Sequence, residues 1–124
     1  ARDQLCEQDL DAGTFMWDFH RTLNVAELPD GDTVFCITLN DQQNRQWWMI
    51  AQHGVVDLCD VDPGRDVDVY ITSTLPVLAA LWLGDNNVAA ALKEKTVAVM
   101  GAAHYIKNAA RWFPQSMYAD VNFD

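Results

Sequence analysis

The sequence has few basic residues, and this shortage excludes several kinds of partner. Eight Lys and Arg stand against eighteen Asp and Glu, which gives a net charge of −10. A chain of this charge repels nucleic-acid phosphates and anionic lipid headgroups, so we predict no direct nucleic-acid binding. Long apolar runs are also missing, because the longest, at residues 77–83, is far too short to cross a bilayer. We predict no membrane insertion.

Cysteine is scarce as well. The three cysteines, Cys6, Cys36 and Cys59, are odd in number and contain no C-x-x-C spacing. This pattern indicates neither a disulfide framework nor a zinc site. Buried free thiols in a reducing compartment explain this number and spacing best. A Cys36–Cys59 disulfide is the alternative. The first twenty residues are studded with Asp, Glu and Gln, which is unlike a signal peptide, so we predict a cytoplasmic protein.

The usual signatures of catalysis are missing too. His20, His53 and His104 lie far apart in sequence and match no metal-ligand spacing. The glycines are isolated, so there is no phosphate-cradling loop, and no serine is flanked by the glycines of a nucleophile elbow. We therefore predict a protein that is not an enzyme and has no cofactor, no catalytic residue and no metal site.

An acidic stretch leaves one alternative to that prediction. Asp60 and Asp62, followed by Gly64, loosely resemble a calcium-binding loop. The series lacks the closing Glu of an EF-hand, so calcium is the weaker interpretation. The neighbouring Asp66 and Asp68 are better explained as the solvent-facing side of a strand.

Half of the residues are apolar, which is enough for one packed domain over residues 1–124. Within it we predict a linker or short solvated helix at 1–13, a leading helical region at 14–29 and a core at 30–118. Tight turns between β-rich runs indicate antiparallel hairpins, and alternation in residues 66–72 indicates a sheet with one buried face. The pattern predicts strands at 34–39, 46–52, 55–61, 66–72 and 96–100, and helices at 14–23, 75–83, 88–95 and 102–113.

Several motifs then occur in a characteristic order. They are RQWWMI at 45–50, VDLCDVDPG at 56–64, DVDVYIT at 66–72, LWLGD at 81–85 and RWFP at 111–114. In order and spacing the chain resembles the sterol carrier protein-2 domain family over residues 14–118. It resembles most the version found at the C-terminus of HxlR-type winged-helix transcriptional regulators, although these 124 residues contain no winged helix.

The resemblance implies an α+β fold: a mostly antiparallel five-stranded sheet with helices packed on one face. It also implies an apolar tunnel between sheet and helices, which in that family holds sterols, fatty acids or acyl chains. The expected function is non-catalytic binding of an apolar or lipid-like small molecule, as the effector domain of a homodimeric transcriptional regulator. The alternatives are a dimerisation module with a filled core and an accessory domain of a hydrolase.

Large apolar side chains could line such a tunnel or simply fill a core. The adjacent Trp47 and Trp48 must point to opposite faces of their strand, so one of them lies outside the main core. Aromatic and thioether side chains suit a pocket for a poorly specified apolar ligand. The predicted lining residues are Trp48, Ile50, Ile71, Leu78, Trp82, Met100, Ile106 and Phe113.

Overall fold

A computed structural model describes residues 11–116 and contains one five-stranded sheet. Its strands are β1 (Thr33–Leu39), β2 (Arg45–Gln52), β3 (Val55–Cys59), β4 (Val69–Ser73) and β5 (Ala98–Gly101), in the order β3-β2-β1-β4-β5. Three of the four strand pairs are antiparallel, and β1 and β4 are parallel. The prediction of an α+β fold with a mostly antiparallel five-stranded sheet is therefore confirmed. The parallel pair arises because the chain crosses from the β3 edge to the far side of β1.

Within residues 11–116, five helices accompany the sheet. They are α1 (Ala12–Arg21), α2 (Leu75–Leu83), α3 (Val88–Glu94), α4 (Ala103–Lys107) and α5 (Ala109–Trp112), with short 3-10 turns at Val25–Glu27 and Asn40–Gln42. The single helix predicted at 102–113 is interrupted at Asn108, whose side chain donates a hydrogen bond to the His104 carbonyl at 2.8 Å. No helix within residues 11–116 combines the length and the apolar character that a membrane span requires.

The helix starts are fixed by polar side chains. Asp11 accepts the hydrogen bonds that begin α1, and the Thr14 hydroxyl and backbone N–H lower the pKa of its carboxyl group. The chain is thus helical from residue 12, within the predicted linker; residues 1–10 lie outside the described part. Asn87 accepts from the Ala90 N–H at 2.7 Å and begins α3. Asp41, remote in sequence, accepts from the first N–H of α2.

One face of the sheet carries the core. Residues alternate along each strand, so Trp47 and Met49 of β2 point inward together with Ile71 of β4. Helices α1, α2, α3 and α5 contribute their buried residues to the same cluster. The largest side chains that are almost fully buried are Trp47, Trp112, Phe19, Phe35 and Met16. The space between sheet and helices is therefore occupied by bulky side chains.

The loop at residues 60–68 crosses the opposite face, which we call the outer face. Arg65 bonds Gln52 on β2 at 3.3 Å and Asp32 before β1 at 3.0 Å. This crossing explains why Val34 and Cys36 are buried although they point away from the helices. Burial raises the pKa of the Cys36 thiol, and the nearby charge of Asp62 acts in the same direction.

The alternative of a Cys36–Cys59 disulfide is wrong for this structure. Both thiols are free, and in the strand register each lies opposite Trp48, on either side of β2. A whole strand thus separates them, which is farther than a disulfide can reach. Cys6 lies outside the described residues.

Two acidic residues of this loop, Asp62 and Asp68, have structural partners. Asp62 accepts from the Gly64 N–H at 2.8 Å and shapes the turn. Asp68 accepts from the Val34 N–H at 2.8 Å and begins the pairing of β4 with β1, which is why β4 starts after the predicted residue 66. Within residues 11–116, no three His, Cys, Asp or Glu side chains come together closely enough to hold a metal ion.

Gly101 on edge strand β5 allows a close approach that a side chain would block. A Cβ atom there would lie 2.5 Å from the Asp68 carbonyl oxygen. We therefore expect Gly101→Ala to lower the free energy of unfolding by about 1–3 kcal/mol, measured by urea denaturation. Gly13→Ala is the matched control: it has room within α1 and should raise stability by about 0.5–1 kcal/mol. Equal effects of the two substitutions would contradict this interpretation.

Candidate ligand-binding grooves

Three of the eight predicted lining residues lie on the outer face. Trp48 and Met100 belong to one cross-strand row that spans the whole sheet, and Ile50 is the next outward residue of β2. In order, the row consists of Cys59, Trp48, Cys36, Tyr70 and Met100. Because the helices cover the other face, Trp48, Ile50 and Met100 do not line a space between sheet and helices. Of the two adjacent tryptophans, Trp47 is the inward one.

Four of the other predicted residues lie on the helix-covered side. Ile71, Leu78 and Phe113 are buried in the core. Trp82 is half-buried; it packs edge-on against Phe15 and donates from Nε1 to the Thr22 hydroxyl at 2.9 Å. The eighth, Ile106 on α4, is 39% exposed. The structure therefore brings Ile71, Leu78, Trp82 and Phe113 to one side of the sheet and leaves the other four elsewhere.

Residues 24–32, which we call the cover segment, join α1 to β1 across one end of the core. Asn24 attaches it to α5, since its backbone N–H donates to the Trp112 carbonyl and its side chain to the Arg111 carbonyl, both at 3.1 Å. A long ion pair of 3.9 Å between Arg111 and Glu27 adds little, because both groups are exposed. Half-buried Val25 and Leu28 face the core.

Two grooves lie along residues 25–32 of the cover segment, and a third, lined by Arg21, Arg111 and Phe113, lies at its Asn24 end. The first, of about 390 Å³, lies between it and the β2–β3 turn at residues 51–54. The second, of about 360 Å³, lies between it and helices α4 and α5. Ala26, Leu28 and Pro29 line both. Each groove is within the size range of small-molecule sites, and only the cover segment separates the two.

A buried pair of hydroxyl groups lies between the two grooves. Thr33 Oγ1 and Tyr105 Oη are 3.2 Å apart. Thr33 pairs with Ala51, which lines the first groove, and Tyr105 lines the second. The indole of Trp112, also in the second groove, donates to the Tyr105 carbonyl at 2.9 Å. These bonds fix the position of Tyr105 at the wall of the second groove.

Acidic residues dominate the charge around the grooves. The described residues that line them include the carboxylates of Glu27, Asp30 and Asp32 but no Lys or Arg. His53 and His104 are the other titratable side chains with basic character there. Glu27 is paired with Arg111 and Asp32 with Arg65, so the excess of negative charge at the grooves is small.

The sequence indicated this site only in part. Pro29 and Gly31 are residue types that favour a turn, and Gly31 does adopt a positive φ of 95°. The pairing of Thr33 with Tyr105 joins residues far apart in the chain, and no local pattern predicts it. The sequence shows only that Thr33 and Tyr105 carry hydroxyl groups within apolar segments. A buried hydroxyl group needs a hydrogen-bond partner, but the sequence does not show which one.

No family model and no curated protein matches the sequence, whereas solved structures do. The palmitated SCP2L2 protein of Aedes aegypti has a TM-score of 0.60 at 19% identity, over 82% of this chain and 92% of that one. A crystal structure of sterol carrier protein 2 has a TM-score of 0.50 at 13% identity, over 78% and 84%. The fold is that of a sterol carrier protein-2 domain.

A larger enzyme contains the same kind of domain. The inverting sec-alkylsulfatase Pisa1 from Pseudomonas sp. has a TM-score of 0.66 at 16% identity, over 90% of this chain. The present chain spans only 17% of the length of that enzyme. The sterol carrier protein-2 fold thus occurs both in small proteins of similar length and within a larger one.

Proposed function

We propose that this domain binds an apolar, lipid-like small molecule without catalysing a reaction of its own. The observation that carries the proposal is the pair of grooves on either side of the cover segment, which share Ala26, Leu28 and Pro29 as lining residues. The sterol carrier protein-2 fold supports it, since one structure with this fold is of a palmitated protein.

The ligand would lie along the groove walls and displace the cover segment. Leu28, Pro29 and Trp112 supply the apolar contacts, and burying them against an alkyl chain is favourable by about 25 cal/mol per Å². The polar contacts between the cover segment and α5 are few: the hydrogen bonds of Asn24 and one exposed ion pair. Ile71, Leu78, Trp82 and Phe113 stay candidates for a deeper site, which a ligand would reach by displacing core side chains.

Native mass spectrometry of gently purified protein tests this proposal. We expect the protein mass plus a lipid-sized mass that disappears after organic extraction and returns when decanol is added. Protein that stays bare both after purification and after incubation with decanol would contradict the proposal.

The finer proposal is an effector domain of a cytoplasmic, homodimeric transcriptional regulator. It rests on the order of the motifs at residues 45–114 and on the similarity of that order to regulator-linked domains. Trp17 on α1 is 56% exposed and offers an apolar surface to a second copy. A bare dimer in the native spectrum would instead favour the alternative of a dimerisation module with a filled core.

An accessory domain of a hydrolase is the second candidate. The observation that favours it is the alkylsulfatase structure, which matches 90% of this chain within a much longer protein. Sequencing the gene on both sides of this coding region distinguishes the two roles. An adjoining winged helix supports the regulator, and an adjoining hydrolase sequence supports the accessory domain.

A further inference from the structure

We propose that the sheet edge formed by β5 is a docking site for an extended, acidic segment of a partner protein, which pairs with β5 as an additional strand. Strand β5 lies at the opposite edge of the sheet from β3 and lines neither of the two grooves beside the cover segment. Three features support the proposal: a backbone edge without a partner, an exposed apolar pair of side chains and a local excess of positive charge.

The backbone of β5 is paired on one side only. Within residues 11–116, residues 98–101 form backbone hydrogen bonds with β4 and with no other element. The outward N–H and C=O groups of such an edge match those of an added extended strand. Strand β5 is short, but it contains neither a proline nor a charged side chain, the residues that commonly block an edge.

Two large apolar side chains are exposed beside this edge. Met100 is 64% exposed, and Tyr70, its cross-strand neighbour on the outer face, is 47% exposed. In the same row Cys36 is buried, so the row is open to solvent only at its β4–β5 end. A strand added to β5 would place one side chain next to Met100, and an apolar residue there would extend the row.

The surroundings of β5 are basic in an otherwise acidic protein. Half of the eight Lys and Arg lie within residues 93–111, together with one acid, Glu94. Lys95 precedes β5 and Lys107 follows it; both are exposed, and neither forms an ion pair with a described residue. Asp68 lies near the end of β5, but its carboxylate accepts a hydrogen bond from the backbone of β1.

Charge therefore distinguishes the two edges of the sheet. Strand β3 carries Asp57 and is followed by Asp60, both exposed, so an acidic segment is repelled there and attracted to β5. A second copy offers an acidic edge in its own β3, but two chains of net charge −10 repel each other. Main-chain pairing favours a protein segment over nucleic acid, which has no such backbone.

An NMR titration with the capped peptide DDVTVTVDD tests the proposal. We expect saturable shifts of the amide N–H signals of residues 98–101, which weaken as salt is added because exposed charges hold the ends of the peptide. KKVTVTVKK reverses those charges, and DDVPVPVDD lacks two of the main-chain donors. Both control peptides should bind about tenfold more weakly.

Substitution of the flanking cations tests where the peptide lies. Lys107→Glu should weaken binding of DDVTVTVDD about threefold, and Lys95→Glu combined with it about tenfold. Arg21→Glu makes the same change of charge on α1, which packs near β3 at the other edge, and should change binding little. Equal weakening by Arg21→Glu and Lys107→Glu would assign binding to net charge and overturn the proposal.

Three further results would overturn it. The first is a DDVTVTVDD titration that leaves the signals of residues 98–101 unchanged. The second is self-association without peptide, detected by sedimentation and abolished by Lys107→Glu, because a second copy would then occupy the edge. The third is tighter binding of an oligothymidylate than of DDVTVTVDD, since the surface would then recognise phosphate charge rather than a strand.

Discussion

Replacing Trp112 by alanine is expected to lower the free energy of unfolding by about 3–5 kcal/mol. The side chain is 1% exposed and packs against the ring of Phe35 with centroids 5.2 Å apart. Its loss leaves a large cavity where α5 meets the sheet. It also leaves the Tyr105 carbonyl without its indole donor, which adds the cost of an unpaired buried acceptor. Chemical denaturation followed by circular dichroism measures the change.

Trp17→Ala is the matched control for this loss. It removes the same side chain from α1, where Trp17 is largely exposed and contacts the His20 ring. We expect a change within about 0.5 kcal/mol, as is usual at the surface. A loss at Trp112 no larger than the loss at Trp17 would mean that α5 does not pack on the sheet as described.

Leu78→Ala is expected to cost about 2–5 kcal/mol and to leave decanol binding unchanged. Leu78 lies on α2, is fully buried and belongs to the filled core rather than to the walls of either groove. Shortening a residue in a filled core leaves a cavity and lowers the free energy of unfolding. Shortening a residue that lines a ligand space lowers that free energy less. Thermal unfolding and the decanol titration, made on the same protein, provide the two readouts.

Leu83→Ala makes the same chemical change at the end of the same helix. Leu83 is 38% exposed, so we expect a loss of less than about 1 kcal/mol. A small loss at Leu78 together with altered decanol binding would contradict the filled core. That result would place the ligand in the deeper site among Ile71, Leu78, Trp82 and Phe113.

The strands could be predicted closely from sequence because their signals are local. The β-branched run at 34–39 and the turn at His53 and Gly54 predict β1 and the β2–β3 hairpin within a residue or two. The parallel pairing of β1 with β4 was not predicted, since it depends on where the loop at 60–68 crosses the sheet. The break at Asn108 was missed because helical periodicity continues through it.

The candidate site could be predicted much less well. Alternation shows that Trp47 and Trp48 point in opposite directions, but it does not show which of them faces the helices. Which tryptophan faces the helices depends on how β2 pairs with its neighbouring strands. In the structure this pairing places Trp48, Ile50 and Met100 on the outer face. Composition alone does not distinguish the two faces, because apolar residues are buried on both faces of the sheet.

The most direct test of ligand binding at the cover segment is an NMR titration with decanol that follows the tryptophan indole N–H signals. The indole of Trp112 borders the second groove and is bonded to the Tyr105 carbonyl, whereas Trp17 is exposed on α1. We predict a saturable shift of the Trp112 signal with little change at Trp17. A titration in which Trp112 does not shift, or in which Trp17 alone shifts, would contradict the account.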